Sequence, residues 1–337
     1  MTLNTIYQAQ KLSEPQYKIF AGVYSDFRAS AADKYKFELD PLSYEEFISA
    51  MEKGLIECIV LLENNIPTAF LAYTTVISEA IELNIIHCLG DEDLAEKRRI
   101  LLEKFMEETQ ELRKEKIVCY PMMGPQGEFV TDITRYGFKF IGLAVLRFLF
   151  KDSNCENILK SSILSDKDSC YQIVDWSDDY FEDAIKIVHK AFENTSDAVF
   201  DPRFKTEEGV RDILGKIIDN TYGEFLPNAV SVLMHSGKPC GFCFVNITAG
   251  KIANIPIFAI DPEYQGKGFS KHLLKKSLTT LLDWTKTGKK ELSEINTTTE
   301  TDNYQALKMY RHVGFKEDYA YAQSYLDVSL AASVKSL

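Results

Sequence analysis

Residues 252–270, IANIPIFAIDPEYQGKGFS, are the stretch from which the fold of this chain can be deduced. The apolar run over residues 252–260 predicts a β-strand, Asp261 and Pro262 predict a turn, and an amphipathic helix follows residues 265–270. Amide groups of a glycine-bearing loop and of a helix N-terminus converge on one point, where the helix dipole adds positive potential. Because glycine has no Cβ atom, an anion can approach such a backbone closely. The stretch therefore predicts a phosphate-binding loop.

The loop matches neither of two common nucleotide-binding patterns. A P-loop requires lysine directly after its last glycine, but Phe269 follows Gly268, and Lys271 stands where the dinucleotide fingerprint requires a third glycine. The pattern that fits is Gln/Arg-x-x-Gly-x-Gly/Ala, with Gln265, Gly268 and Ser270. This loop, with the strand and turn before it, resembles the acetyl-CoA pyrophosphate loop of the GNAT superfamily of N-acetyltransferases. Ser270 departs from the pattern, but serine is small and its hydroxyl is expected to cap the helix.

A second motif downstream strengthens the resemblance. Asn303, Ala306 and Tyr310 are spaced as in the second half of the same family's cofactor site, and Gly314-Phe315 follows. Ala306 and Tyr310 are four residues apart, so they share one face of a predicted helix. Gly314 is expected to end that helix in a left-handed conformation. The two motifs occur in the family's order, with a predicted strand over residues 292–299 between them.

The resemblance implies the α+β fold class, as two tandem GNAT-like domains, each with a mixed, mostly antiparallel central sheet flanked by helices. In this family the central strands splay apart to admit the pantetheine arm of the cofactor, which is acetyl-CoA (coenzyme A). The resemblance implies no metal. The implied cofactor-binding residues are Phe258, Ala259, Ile260, Gln265, Gly266, Lys267, Gly268, Phe269, Ser270, Asn303 and Tyr310.

The resemblance also implies a catalytic role for Tyr310, as the general acid that protonates the departing thiolate. A phenol near its usual pKa is protonated at neutral pH. The alternative is that Tyr310 only packs its ring against the cofactor arm. Amides of residues 258–260, where that strand parts from its neighbour, are expected to polarise the thioester carbonyl. Asn303 is expected to contact the cofactor or fix its loop, and a turn-forming asparagine is the plain alternative.

The general base stays open at this point. Many relatives carry a glutamate near the position of Asn254, and asparagine cannot accept that proton. Glu294, Glu300 and Asp302 are the acidic candidates in the second half, and residues of the first half are others. Three residues after the first helix of the second half are expected to line the substrate mouth, unless they form a solvated turn: Asp197, Asp201 and Arg203.

The two halves of the chain repeat each other. Two apolar strands meet at a polar turn around residues 64–65 and again around residues 236–237, and a proline follows each turn closely. From Pro67 to the Gly137-Phe138 pair is 70 residues, and from Pro239 to Gly314-Phe315 is 75. The nearly equal spacing predicts two copies of one fold: residues 1–150 and residues 171–330, joined by a polar linker over residues 151–170.

The copies differ at the phosphate loop. Residues 90–93, Gly-Asp-Glu-Asp, stand between a strand and a helix, where the second copy has its glycine pair. Three acidic side chains repel a pyrophosphate, and the Asn-x-x-Ala-x-x-x-Tyr motif is missing from the first half. We therefore expect residues 1–150 to keep the fold without binding the cofactor, and residues 171–330 to form the catalytic domain.

Periodicity predicts the other elements of the second half. We expect a strand over residues 171–176, helices over residues 179–192 and 207–220, and a hairpin over residues 229–246. The helix after the phosphate loop has one leucine face (Leu273, Leu274, Leu278, Leu281 and Leu282) and a solvated lysine face (Lys271, Lys275 and Lys276).

Composition limits the class of partners and the location. The chain has 337 residues and a net charge of −12, which argues against nucleic acid as a partner and is compatible with an amine substrate. It has neither an apolar run that could span a membrane nor a secretion signal, so a cytoplasmic location is expected. Seven scattered cysteines suit a reducing compartment. Cys240 and Cys243 are three apart in a predicted strand, so they should face opposite sides and serve neither redox nor metal chemistry.

The leading functional hypothesis is an N-acetyltransferase that moves an acetyl group directly from acetyl-CoA to a primary amine of a small molecule or peptide. A relative that transfers another acyl group, or an aminoacyl group from tRNA, is one alternative, and the acidic charge counts against tRNA. A non-catalytic sensor of acyl-CoA is the other, and the intact Tyr310 favours the enzyme. Tandem relatives such as mycothiol synthase have this layout. A homodimer is compatible with the sequence.

Overall fold

The computed structural model describes residues 6–35, 41–76, 80–112, 114–119, 126–152, 159 and 170–328. These residues form two compact units. The first comprises the described residues up to Ile141 together with those from Tyr321 onward, and the second comprises Gly142–Ala320. The units thus divide the chain differently from the predicted segments. Most of the predicted linker, residues 153–158 and 160–169, lies outside the described residues.

The first unit is built on a mixed sheet. Its strands are β1 (Tyr7–Lys11), β2 (Glu57–Glu63), β3 (Ile66–Thr74), β4 (Ala80–Cys88) and β5 (Lys116–Cys119). Strands β1 to β4 are antiparallel neighbours in that order, and β4 runs parallel to β5. Its helices are α1 (Tyr17–Tyr35), α2 (Tyr44–Glu52), α3 (Leu94–Thr109) and α4 (Gln126–Thr134).

Two hydrophobic cores cover the two faces of this sheet. Phe20, Phe47 and Phe70 belong to the core between the sheet and helices α1 and α2. Leu101 and Phe105 of α3 belong to the core on the opposite face. All five are at most 1% exposed, so helices cover both faces of the sheet.

The second unit contains the phosphate-loop segment. Its strands are β7 (Tyr171–Asp175), β8 (Glu224–Phe225), β9 (Ser231–His235), β10 (Lys238–Cys243), β11 (Asn246–Ala249), β12 (Ile252–Asn254), β13 (Phe258–Ile260) and β14 (Glu294–Glu300). Its helices are α5 (Phe181–Phe192), α6 (Asp197–Phe200), α7 (Glu207–Ile218), α8 (Phe269–Thr287) and α9 (Tyr304–Val313). These bounds confirm the predicted strand over residues 171–176 and the predicted helices over residues 179–192 and 207–220 to within about two residues. The mostly antiparallel α+β class is confirmed in both units.

Two long strands cross from one unit into the other along the chain. Strand β6 (Lys139–Leu149) continues into the second unit and pairs with β14, from Leu143 to Leu149. Strand β15 (Lys316–Asp327) continues into the first unit, where Ser324–Asp327 pair with β5. Strand β6 belongs to the first sequence repeat but completes the second unit. Strand β15 belongs to the second repeat but completes the first unit.

The continuous strand predicted over residues 252–260 is wrong. Strand β12 runs parallel to β14, but β13 pairs antiparallel with β10 in a separate sheet of order β13-β10-β9-β7. The change falls at Pro256, which has no N–H to donate to a ladder. The amide of Ile255 still donates to the carbonyl of Asn296 (3.0 Å), whereas the carbonyl of Ile257 already accepts from Phe244 (2.9 Å).

Helices pack on both faces of the second unit. The five predicted leucines of α8 are buried in a core that also holds Tyr310 of α9. Helices α5 and α7 form the core on the other face, with Phe242 and Phe244. Lys275 was expected to be solvated, but it is only 5% exposed. Burial and then the charge of Lys271 lower the pKa of Lys275, so the lysine face of α8 is not uniformly solvated.

The prediction for the two strand cysteines is also corrected. Cys240 and Cys243 are buried in the same core, not on opposite faces. A register irregularity between Pro239 and Gly241 in the β9–β10 ladder places an extra residue there. Such a bulge shifts the alternation of side chains by one residue. Both cysteines are free thiols.

Candidate functional site

The predicted phosphate loop has an open backbone. Gly266 and Gly268 adopt φ values of +74° and +80°, in the left-handed region that favours glycine. A Cβ atom at Gly266 would have no heavy atom within 4 Å, and one at Gly268 would meet only the flexible end of Lys271 at 3.8 Å. The amides here therefore face space that an anion can enter.

Helix α8 begins directly after this loop. Gly268 is its N-cap residue and no side chain caps the helix. The predicted capping by Ser270 is wrong, because Ser270 is the second residue inside the helix and its hydroxyl lies past the capping position. The first amides of a 19-residue helix are thus left for an external acceptor.

Side chains hold the turn before the loop in place. The Gln265 side-chain amide donates to the Ile260 carbonyl (2.9 Å), so this residue shapes the loop from within. The Lys190 ammonium of α5 contacts both carboxylates of the turn, Asp261 at 3.0 Å and Glu263 at 3.1 Å. One cation thereby offsets two negative charges close to the amides predicted to bind phosphate.

An aromatic cluster supports the same loop. Tyr264 shares a hydrogen bond with Nδ1 of His235 (3.1 Å), and His235 stacks on Tyr171 at 4.5 Å between ring centroids. Tyr171 also packs on Phe269 (4.3 Å), and the Lys267 ammonium lies over the Tyr264 ring at 4.9 Å. Sequence reasoning missed Tyr171 and His235, since they lie on other strands. The signal in the sequence was an aromatic residue, Tyr264, at the end of the Asp-Pro-Glu-Tyr turn.

Beyond the break at Pro256, strands β13 and β14 part. The ladder between β12 and β14 ends at Asn254 and Asn296, and β13 is the edge strand of its sheet. Amide groups of successive residues in a strand point alternately to its two sides. The Asp261 amide points towards β10, where it donates to the Cys240 carbonyl, so the amides of Phe258 and Ile260 point to the open edge. The Ala259 amide is directed towards β10.

Tyr310 lies beside this opening. Its ring is 6.4 Å from that of Phe258 and 5.2 Å from that of Phe315, and the residue is 4% exposed. Burial raises the pKa of Tyr310 above its ordinary value, while a hydrogen bond with Thr297 acts in the opposite direction. The phenol therefore stays protonated at neutral pH. The structure brings two predicted site residues together here, Tyr310 and Phe258.

Asn303 stands at the N-cap of α9. Its side-chain oxygen accepts from the Ala306 amide at 3.1 Å, which agrees with the plain alternative of a residue that shapes the backbone. Gly314 ends the same helix with φ of +102°, as predicted.

The three acidic candidates for the base have different surroundings. Glu294 forms an ion pair with Arg147 at the end of β14 that stays paired with β12. Asp302 is exposed in the turn after β14. Glu300 lies at the parted end of β14 and accepts a hydrogen bond from the Ser196 hydroxyl.

The three residues predicted to line the substrate mouth also have different surroundings. Asp197 is accessible to solvent, yet protein atoms surround much of it. The loss of solvation, and then the charge of Glu300, raise the pKa of the Asp197 carboxyl. Arg203 is held by Asp201 (2.6 Å), Asp212 (2.7 Å) and the Tyr222 hydroxyl (3.2 Å). Asp197 and Glu300 thus form a carboxylate pair near the opening, whereas Asp201 and Arg203 form a structural ion pair.

A cavity of about 620 Å³ lies elsewhere in this unit, at the C-terminal end of α9. Its charged lining residues pair with one another, Lys316 with Asp152 and Arg311 with Glu317. None of residues 258–270 lines it, so it is separate from the phosphate loop.

Comparison with known proteins agrees with this geometry. Residues 227–317 match the family model of the acetyltransferase (GNAT) domain, which spans the parted strands, the loop and the Tyr310 helix. Comparison with curated protein sequences gave no match. No helix among the described residues has the length and apolar content needed to span a membrane.

Solved structures share the fold over nearly the whole chain. A GCN5-related N-acetyltransferase from Sphaerobacter thermophilus has a TM-score of 0.62 at 13% identity, with 96% of both chains covered. A tandem GNAT protein from the clavulanic acid biosynthesis pathway has a TM-score of 0.60 at 11% identity, covering 96% of this chain and 99% of that one. A glucosamine N-acetyltransferase region of a fungal multi-domain β-N-acetylglucosaminidase has a TM-score of 0.63 at 9% identity, covering 96% of this chain and 38% of that one.

Residues 227–317 therefore carry a GNAT acetyltransferase domain. The fold of the chain is that of GNAT proteins, including a tandem GNAT protein.

Proposed function

We propose that this protein transfers an acetyl group from acetyl-CoA directly to a primary amine of a small molecule or peptide, with one active site in the second unit. The observation that carries the proposal is the strand break at Pro256, which opens a gap beside Tyr310 and directly before the glycine loop. The first unit keeps the fold without a cofactor site. A cytoplasmic location and a homodimer stay predictions.

The loop fits the diphosphate of coenzyme A. Two glycines at positive φ leave their amides uncovered, and the N-terminus of α8 has no side-chain cap. Amides of residues 265–270 would hold the diphosphate, with those of Gly266, Gly268 and Phe269 favoured. Lys267 would add a positive charge from its position over Tyr264. When bound, acetyl-CoA supplies the acetyl group as an activated thioester.

The residues of the gap would then act on the reacting groups. The Phe258 and Ile260 amides on the open edge of β13 are placed to donate to a carbonyl oxygen that gains negative charge. Tyr310 would give its phenolic proton to the sulfur as it leaves, and it would recover a proton that the amine nitrogen gives up through solvent. Its raised pKa keeps that proton in place until then.

Glu300 is the favoured proton acceptor for the incoming ammonium group. It lies at the parted end of β14, whereas Glu294 is neutralised by Arg147. The charge of Asp197 beside Glu300 would hold a cationic amine near the gap.

Two measurements test the proposed function. Calorimetric titration with acetyl-CoA should give one site per chain, and a screen of primary amines should find acceptors that trigger release of free coenzyme A thiol. Two equivalent sites would contradict the assignment of the first unit. Binding of acetyl-CoA without thiol release for any acceptor would favour a non-catalytic sensor.

A further inference from the structure

Three asparagines stand in line across the second unit. In the ladders, Asn246 of β11 is directly opposite Asn254 of β12, and Asn254 is directly opposite Asn296 of β14. Residues directly opposite on neighbouring strands have Cβ atoms about 5 Å apart and lie on the same face. Their side chains therefore form a row of three carboxamides.

This carboxamide row is the last rung before the strands part. After Asn254 and Asn296 the ladder ends, apart from the bond from Ile255 to Asn296. Ala253 and Ile295, the preceding residues, are buried in the core that holds Tyr310. Because side chains alternate along a strand, the row lies on the opposite face, at the closed end of the gap.

The row has unused hydrogen-bonding capacity. Asn246 is 1% exposed, and its Nδ2 donates to the Tyr222 carbonyl (2.5 Å), but its buried Oδ1 has no partner among the described residues. The Asn254 side chain is partly exposed, and no described residue forms a hydrogen bond with its carboxamide. A buried carbonyl oxygen without a donor is destabilising, so this oxygen is expected to acquire a donor when the site is used.

We propose that Asn254 determines acceptor specificity by recognising an uncharged hydrogen-bond donor next to the amine, an inference that rests on the function proposed above. In this arrangement Nδ2 of Asn254 donates to Oδ1 of Asn246, which satisfies the buried oxygen. Oδ1 of Asn254 then faces the gap as an acceptor. An amide N–H or a hydroxyl close to the reacting amine fits it, and a group that only accepts hydrogen bonds does not.

The charges around the row agree with an uncharged group. Carboxamides neither titrate nor carry charge. Arg147, opposite Asn296 on β6, is already paired with Glu294 and Asp318. Glu300 is four residues farther along β14, about 13 Å from Asn296. The Glu300 charge therefore lies too far from the row to compete for the donor, and the proton of an amine bound beside the row would reach Glu300 through water.

Two matched acceptors test this assignment. Glycinamide has an N–H donor beside its amine, whereas glycine methyl ester has only acceptors there. The wild-type protein should prefer glycinamide in kcat/KM by about tenfold or more, because a polar site rejects an analogue that leaves its groups unpaired. Asn254→Leu should remove that preference.

Thr298→Val is the matched control. Thr298 lies on the same face of β14, two residues past the row, and is exposed. This variant should keep the wild-type preference to within about twofold, as expected of a surface substitution. An unchanged preference in Asn254→Leu would overturn the assignment.

A binding measurement separates this inference from the proposed function. With coenzyme A present, glycinamide should shift the side-chain amide resonances of Asn254 and Asn246 in NMR spectra of the wild-type protein, and glycine methyl ester should not. Acetyl transfer without such shifts would refute the role of Asn254. Shifts without transfer to any amine would support the role of Asn254 and refute the proposed function.

Discussion

Two strand–loop–helix segments, one in each unit, have similar backbones and different chemistry. In the first unit, Asp93 precedes α3 with a left-handed φ of 52°, and in the second, Gly268 precedes α8 with a φ of 80°. Neither N-cap residue caps its helix through a side chain. The Asp93 carboxylate instead accepts from the Tyr7 hydroxyl at 3.1 Å, and Asp91 and Glu92 beside it are exposed.

If the proposed function is right, a loop before a helix N-terminus is not sufficient for a phosphate site. Both helices present an N-terminus with positive potential. Residues 90–93 bring three carboxylates to this point, whereas residues 265–268 bring two glycines and one lysine. Charge and the absence of Cβ atoms, not the course of the chain, therefore distinguish the two loops.

Making the second loop resemble the first should have the largest effect. Gly268→Asp adds a carboxylate at a position in the left-handed region, which Asp93 already adopts in this chain. A charge about 4 Å from a phosphate opposes binding by about 4 kcal/mol, or close to a thousandfold in Kd. Calorimetry with acetyl-CoA measures this.

Gly268→Asn is the control for that change. Asparagine has the same shape without the charge and also tolerates a left-handed φ, so the affinity loss should be about tenfold or less. Equal losses in the two variants would show that space, not charge, distinguishes the loops.

Removing the phenol tests whether the second unit is catalytic as well as binding. Tyr310→Phe should lower kcat by about 100-fold, as expected when a general acid is lost, and leave the Kd for acetyl-CoA nearly unchanged. The wild-type kcat should not fall on the alkaline side up to about pH 10, because burial raises the pKa of Tyr310 and a raised pKa moves deprotonation to higher pH. A pH–rate profile of both proteins measures this, and unchanged turnover would remove Tyr310 from the mechanism.

A smaller effect is expected from the charge balance of the second loop. Lys190→Met leaves Asp261 and Glu263 without their shared cation. Both carboxylates would then repel the diphosphate, as the carboxylates of residues 91–93 would. Affinity for acetyl-CoA should fall about threefold, and more at low salt because screening is weaker. Titrations at two ionic strengths measure this, and salt-independent affinity would contradict the charge argument.

The smallest effect should come from the first loop. Asp93→Asn removes one of three negative charges and replaces the acceptor for Tyr7. Binding of acetyl-CoA should not appear in this unit, and the free energy of unfolding should change by about 0.5 kcal/mol or less, as for most surface substitutions. A chain carrying both Gly268→Asp and Asp93→Asn should therefore bind no acetyl-CoA in calorimetry. Recovered binding would show that a single charge silences the first loop.

The parts of the fold that depend only on residues close together in the sequence were predictable. The leucine face of α8, the glycine cap at Gly314 and the two glycines of the loop follow from local periodicity and backbone preference. The break after Asn254 was not recognised, although Pro256 was visible, because an apolar run gives no sign of which strand pairs with each half.

Non-local pairing explains the other differences. The bulge at Cys240 and the support of Tyr264 by His235 depend on partners that periodicity does not specify. Within the proposed site, sequence motifs predicted the loop and Tyr310, and their roles stay predictions. The row of Asn246, Asn254 and Asn296, which we propose contacts the acceptor, could not be predicted because it arises only from the register of three strands.

The exchange of strands β6 and β15 has a consequence for protein synthesis. Tyr321, where the first unit resumes, follows Ile141 by 180 residues. At about 5–20 residues per second, a ribosome needs about 10–40 s to make that interval. During this time the edge of β5 that will receive Ser324–Asp327 has no partner, and an unpaired strand edge invites association with other chains. The nascent first unit is therefore expected to be most prone to association with other chains until its last strand emerges, and slower translation would lengthen that period.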